Sequence, residues 1–176
     1  PPTIIKNENR RKYIEALSGV YLNNITFVDP QSIMDKFSKV IQSKKTEQLI
    51  KFMQNFEPHL KGVVLSKYGI EIDDDRYPNT VSINNYGDGM LKAFHIAVNA
   101  LSHSNIMLID EIENGLHWSK QEAIWRFILE LTNIQKQQIF ITTHSIELLQ
   151  NLQSILKKIQ FSEQDLRFYR LEHQVD

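Results

Sequence analysis

Apolar residues first recur along the chain at helical spacing. Ile33, Phe37, Val40 and Ile41 repeat every three to four residues, which predicts a helix from Ser32 with that serine as N-cap. Leu49, Ile50, Met53 and Phe56 predict a second helix over 46–56, capped by Thr46 and ended by Pro58. The period then falls to two. Residues 60–72 predict two short strands that turn near Tyr68-Gly69. The first 30 residues are polar and mixed, with a short helix expected near 10–17 and a turn at Asp29-Pro30. Asp73-Asp74-Asp75 lacks the alternating ligands and distal Glu of a calcium loop, so a solvated turn is expected there.

From Thr80 onward the organisation changes. Residues 81–84 read as the end of a strand, Tyr86-Gly87-Asp88-Gly89 as a tight turn, and 90–101 as an apolar helix. Ile106-Met107-Leu108-Ile109 is a continuous apolar run, as expected of a strand buried on both faces. Residues 119–134 form an amphipathic helical pattern with Ile124, Phe127, Ile128 and Leu131 on one face. A second buried strand is expected over 138–143, a helix over 145–159 and a last strand over 166–171. Strands alternating with helices predict an α/β fold with a parallel sheet.

Composition narrows the function. The 176 residues are 41% apolar, enough for a real core. Twenty Lys and Arg against 21 Asp and Glu give a net charge of −1, which excludes a bulk electrostatic nucleic-acid binder but not a local basic patch. There are no cysteines, which excludes disulfide scaffolds, thiolate zinc sites and cysteine catalysis. No apolar run reaches the ~18 residues of a membrane span and no signal peptide is visible, so no membrane partner and a cytoplasmic setting are expected.

The chemistry concentrates at Ile106-Met107-Leu108-Ile109-Asp110-Glu111. The carboxyl end of a buried strand opens onto the ligand crevice of an α/β sheet. An Asp there can hold Mg²⁺ on nucleotide phosphates, and a following Glu can orient or deprotonate water. These six residues alone fit a core strand running into a solvated loop better than a catalytic pair. The strand through Ile139-Phe140-Ile141-Thr142-Thr143-His144 would place His144 beside Glu111 at the same sheet edge, able to sense a γ-phosphate. Between them, Glu113-Asn114-Gly115-Leu116-His117-Trp118 is a glycine turn before a helix. Upstream, Gly87-Asp88-Gly89 opens a helix, whose first amides can approach phosphate.

This ordered set resembles the C-terminal half of an ABC-like AAA-type ATPase, most nearly the OLD-like group, over about residues 82–149. The resemblance implies a partial P-loop NTPase core over 81–176 and an insertion-like helical and hairpin lobe over 1–80. It implies Asp110 as the Walker B acid holding Mg²⁺, Glu111 as the residue activating water, and His144 as the switch histidine. Gly87, Asp88 and Gly89 become the signature turn that contacts ATP bound to the opposite subunit of a head-to-tail dimer. Lys92 stands where the family often has Arg, and Glu113 to His117, with Asn114 among the nucleotide-binding residues, match the D-loop. The implied cofactors are ATP and Mg²⁺. The implied partners are a second copy or a higher oligomer, with DNA or an effector protein, in repair or phage defence. Two departures stand out: the turn has Gly87 where the common signature has Ser, and Trp118 replaces a smaller residue, an exchange expected to affect packing alone.

A complete member also needs the phosphate-cradling G-x-x-x-x-G-K-[ST] loop. None of the glycines at 19, 62, 69, 87, 89 and 115 begins one. The chain starts at Pro1 and is expected to be the C-terminal part of a longer ATPase, inactive by itself. Two alternatives stay open: a non-catalytic dimerisation or regulatory module, and a metal-dependent hydrolase using Asp110, Glu111, Glu113, His117 and His144.

Overall fold

The computed structural model describes residues 19–23, 29–102, 105–159 and 165–171. Strand β1 (Gly19–Leu22) comes first, in a region whose polar surroundings hide the short β-forming run Val20-Tyr21-Leu22. Helix α1 (Pro30–Gln42) starts two residues before Ser32, because Pro30 fits the first helical turn and Asp29 caps it. The Asp29 carboxylate accepts from the amides of Gln31 and Ser32 at 3.2 and 3.3 Å. Helix α2 (Thr46–Met53) contains Thr46 as a helical residue, so that threonine is not its cap, and the helix stops three residues short of Phe56.

A small antiparallel sheet follows, ordered β2-β3-β4: β2 (Leu60–Ser66), β3 (Gly69–Asp74) and β4 (Val81–Ser82). The hairpin closes with Ser66 opposite Gly69, as the period-two pattern predicts. A single 3-10 turn (Ile83–Tyr86) leads into α3 (Asp88–Leu101). Then come β5 (Ile106–Ile109), α4 (Gln121–Gln135), β6 (Gln138–Ile141) and α5 (Ile146–Ile159). Strands β1, β5 and β6 form a parallel sheet with β5 in the middle. The fold is therefore mixed α/β, with a parallel sheet, flanking helices and a helical and hairpin lobe.

One continuous hydrophobic cluster joins the lobe to the sheet layer. Phe37 of α1 meets Phe94 of α3 edge-on at 5.7 Å, and Phe52 of α2 stacks on Phe127 of α4 at 4.0 Å. Trp125 of α4 donates its indole N–H to the Leu148 carbonyl of α5. Among the described residues no helix is long and apolar enough to cross a membrane.

The parallel sheet departs from expectation on one face. Met107 and Ile109 are buried, whereas Leu108 is 41% exposed and its register partners Tyr21 and Phe140 are 58% and 50% exposed. Strands β5 and β6 are thus covered on one side only. A run of four apolar residues cannot by itself distinguish the two cases. Residues 166–171, expected as a last strand, join neither sheet of the described residues, and Phe168, Tyr169 and Leu171 lie exposed.

Candidate functional site

The site forms where β5 and β6 end side by side. The amide of Asp110 donates to the Leu22 carbonyl at 2.8 Å and carries the β1–β5 ladder one residue further. The Asp110 carboxylate then meets two hydroxyls. Thr142 Oγ1 donates to one oxygen at 2.5 Å and Tyr21 Oη donates to the other at 3.1 Å. Donation by Thr142 first, and by Tyr21 second, holds the Asp110 carboxyl below the usual carboxylate range. The same bond pushes the Tyr21 phenol upward.

Glu111 adopts a left-handed backbone with φ of 46°, rare for a residue with a Cβ. Side chains from other elements hold it there. Its amide donates to Thr142 Oγ1 at 2.9 Å, and its carbonyl accepts from Lys92 Nζ at 2.8 Å. One Glu111 carboxylate oxygen accepts from the Asn114 amide, and the other lies 3.8 Å from His144 Nε2. The Thr142 hydroxyl therefore serves both acids, accepting from one backbone and donating to the other side chain. His144 is fixed by its own backbone, whose amide donates to Glu113 Oε1 at 2.7 Å, and its imidazole remains exposed. Burial opposes ionisation of Glu113, but donation from Thr143 and from the backbone of His144 outweighs it, so its carboxyl lies below the usual range.

The glycine turn lies on the other side of this loop. Gly87 has φ of 81° and precedes the first residue of α3. A Cβ at Gly89 would stand 2.8 Å from the Gly115 carbonyl oxygen, so only glycine permits this approach. Lys92, one turn into α3, also donates to the Asn114 carbonyl at 2.8 Å. Burial draws its ammonium below the ordinary lysine range, and Glu113, Glu111 and Asp110 partly offset that. Its charge is spent inside the chain, on two carbonyls of the acid loop. Asp88 lies in the first turn of α3, beside Gly115.

Asp110, Glu111, Asn114 and His144 are thus brought together, Asp88, Gly89 and Lys92 lie against the same loop, and Gly87 precedes them in open space. Thr142 and Tyr21 belong to this site as well. The sequence signal for them is register: Tyr21 lies one residue before the end of β1, and Thr142 directly follows β6. His117 turns away to Ser119, whose amide and hydroxyl meet its Nδ1, and among the described residues no group of three or more His, Asp or Glu could hold a metal. The five residues of the metal-hydrolase alternative therefore do not form a cage. Trp118 is 63% exposed beside the His117 ring, so it does not pack into the core.

An oxygen ligand on an ionised carboxylate suits a hard cation. Mg²⁺ characteristically takes one or two carboxylates, completing its shell with water and phosphate oxygens. Asp110 meets that description. Its carboxylate is held by neutral donors, and among the described residues no Lys, Arg or His forms an ion pair with it.

A parallel sheet ending in Asp110-Glu111 beside a Thr-Thr-His strand, with flanking helices, is a mixed α/β arrangement with its acidic pair at the open end of the strands. The chain belongs to the family described as "AAA domain, putative AbiEii toxin, Type IV TA system", whose sequence profile matches residues 23–150. It is similar to an ATP/GTP phosphatase of Helicobacter pylori (strain ATCC 700392 / 26695), with 28% identity over 140 residues and 74% of this chain covered. It spans 37% of that relative's length. It is also similar to the SMC head domain from Thermotoga maritima, at 14% identity and a TM-score of 0.48, covering 74% of this chain and 46% of that one. A structure from work on ATP-driven dimerization and DNA-stimulated activation of SMC ATPases matches at 15% identity and a TM-score of 0.48, covering 77% and 99%.

Proposed function

We propose that the chain is the C-terminal portion of an ATP-hydrolysing, ABC-like AAA-type ATPase of the OLD-like group. The observation that carries this is the shared hydroxyl: Thr142 fixes the Asp110 carboxylate and the Glu111 backbone together at the open end of the sheet. Asp110 is the residue to hold Mg²⁺, which when bound with ATP supplies charge neutralisation at the phosphates. Glu111 orients the attacking water and accepts its proton. His144 meets the γ-phosphate in this reading, which its 3.8 Å distance from Glu111 and its exposure to solvent support. The Gly87-Asp88-Gly89 turn, with Asn114, serves ATP held by a second copy in a head-to-tail dimer.

The phosphate cradle comes from a P-loop segment outside this chain. Two features support this division. The chain spans little more than a third of its relative, and the row Tyr21, Leu108 and Phe140 leaves an apolar face of the sheet uncovered. The family description names a toxin–antitoxin system, which suits a role in phage defence, with DNA or an effector protein as partner.

The test uses the protein completed with its upstream P-loop segment. It should hydrolyse ATP, and Glu111→Gln should slow turnover by about 10²–10⁴-fold, the usual worth of a positioned base. Unchanged turnover in that variant overturns the role of Glu111. The 176-residue chain by itself should bind ATP weakly, and tight binding overturns the division of the site.

A further inference from the structure

Within the glycine turn only Gly87 stands in open space: a Cβ built there would find nothing within 4 Å, so its position depends on what holds the residues on either side. On the downstream side, Gly89 lies against Gly115 of the acid loop and Lys92 binds the same loop. Before Gly87 stands Tyr86, the last residue of the 3-10 turn, whose hydroxyl donates to Asp74 Oδ2 at 2.9 Å.

Asp74 ends strand β3 of the hairpin and is 1% exposed. It accepts from Arg76 three times: from the backbone amide at 3.0 Å, from Nε at 2.9 Å and from Nη2 at 2.6 Å. The same Nη2 reaches Glu57, in the turn after α2, at 2.8 Å. The Arg76 guanidinium alone gives Asp74 a bidentate partner. The Tyr86 bond is an additional link, and it falls on the residue next to Gly87. Strand β3 also pairs with β4, just upstream of the 3-10 turn, through Glu71 opposite Ser82 and Ile72 opposite Val81.

We infer that the hairpin lobe sets the position of the Gly87-Asp88-Gly89 turn through the Tyr86–Asp74 bond, which makes Tyr86 and Asp74 positioning residues for the chemistry at Glu111. The link rests on the ATPase reading for its consequence but not for its geometry. A displacement of the hairpin passes through Asp74 to Tyr86, then across the turn to Lys92 and the Glu111 carbonyl. Side-chain bonds join 57, 74–76 and 86 on one side and 92 and 111 on the other, with the backbone of 86–92 connecting the two.

Tyr86→Phe removes the hydroxyl and keeps the ring. In the 176-residue chain, amide hydrogen exchange at Leu91, whose N–H bonds the Gly87 carbonyl, should quicken about tenfold while α4 and α5 keep their protection. In the completed protein the same variant should lower kcat by about tenfold with the KM for ATP within about twofold, as expected when an interaction serves the reaction more than binding. Asp74→Asn, which also weakens the Arg76 pair, should repeat the fall in kcat. Unchanged exchange at Leu91 overturns the inference, and so does equal quickening of every helix, which marks a general loss of stability. If the completed protein fails to hydrolyse ATP, the functional reading fails, and the exchange result still decides whether the lobe positions the turn.

Discussion

Two acidic runs with similar composition have opposite fates in this molecule. In Asp73-Asp74-Asp75 the middle carboxylate turns inward and meets a guanidinium, so its charge is neutralised within the chain. In Asp110-Glu111 the first carboxylate meets two hydroxyls, which orient it, while His144 and Lys92 act on it only through longer-range attraction. Both arrangements hold the carboxyl below the usual range, so acidity does not separate them. The sign of the neighbours does. A carboxylate fixed by a cation is finished as a structural element, whereas one fixed by neutral donors keeps its charge for a ligand.

Exchanging the charge at each run should break the symmetry most strongly. In the completed protein, Asp110→Asn should reduce Mg²⁺-dependent turnover by about 10²-fold or more and lower thermal stability less than Asp74→Asn does, because it weakens bonds to two hydroxyls and breaks no ion pair. Asp74→Asn should lower the melting temperature and leave the Mg²⁺ concentration for half-maximal rate unchanged. Parallel losses of stability in the two variants would erase the distinction. A smaller effect is expected of Thr142→Val, which keeps the shape and deletes the shared hydroxyl. Turnover should fall by about tenfold, the Asp110 carboxyl should titrate at higher pH, and carbon-detected NMR of that carboxyl reads the shift directly.

The smallest effect is a difference in acid response. Asp74 has a depressed folded-state pKa, so its contribution to stability is complete above the unfolded carboxylate value of about 3.9 and is lost as pH falls through the folded value. Acid-unfolding curves of wild type and Asp74→Asn should therefore converge below that range and diverge above it. Curves that stay parallel throughout would show that Asp74 does not carry the acid limb.

The site was more legible than its surroundings. Asp110, Glu111 and His144 were readable as neighbours because each follows a short apolar strand, and parallel strands in register deliver their ends to one edge. The open face was not readable, since Leu108 and Phe140 are as apolar as the buried Met107 and Ile109. The inward turn of Asp74 was hidden by the bare appearance of three acids, although the alternation of β3 contains it. Ile70, Ile72 and Asp74 share one side of the strand and all three are buried. Strand β1 and its Tyr21 were missed because four residues in polar surroundings give too short a pattern. Asp29-Pro30 reads as a turn, yet proline also opens a helix, which puts the cap at Asp29 and not at Ser32.

The left-handed backbone of Glu111 sets chemistry and endurance at odds. A residue with a Cβ in that conformation costs about 1–2 kcal/mol relative to one in the right-handed region, and glycine or asparagine bears less of that cost. The substitutions that best relax this peptide are therefore ones that delete the carboxylate. If Glu111 serves as proposed, random drift at position 111 would favour sturdier, silent proteins, and selection for turnover would oppose it.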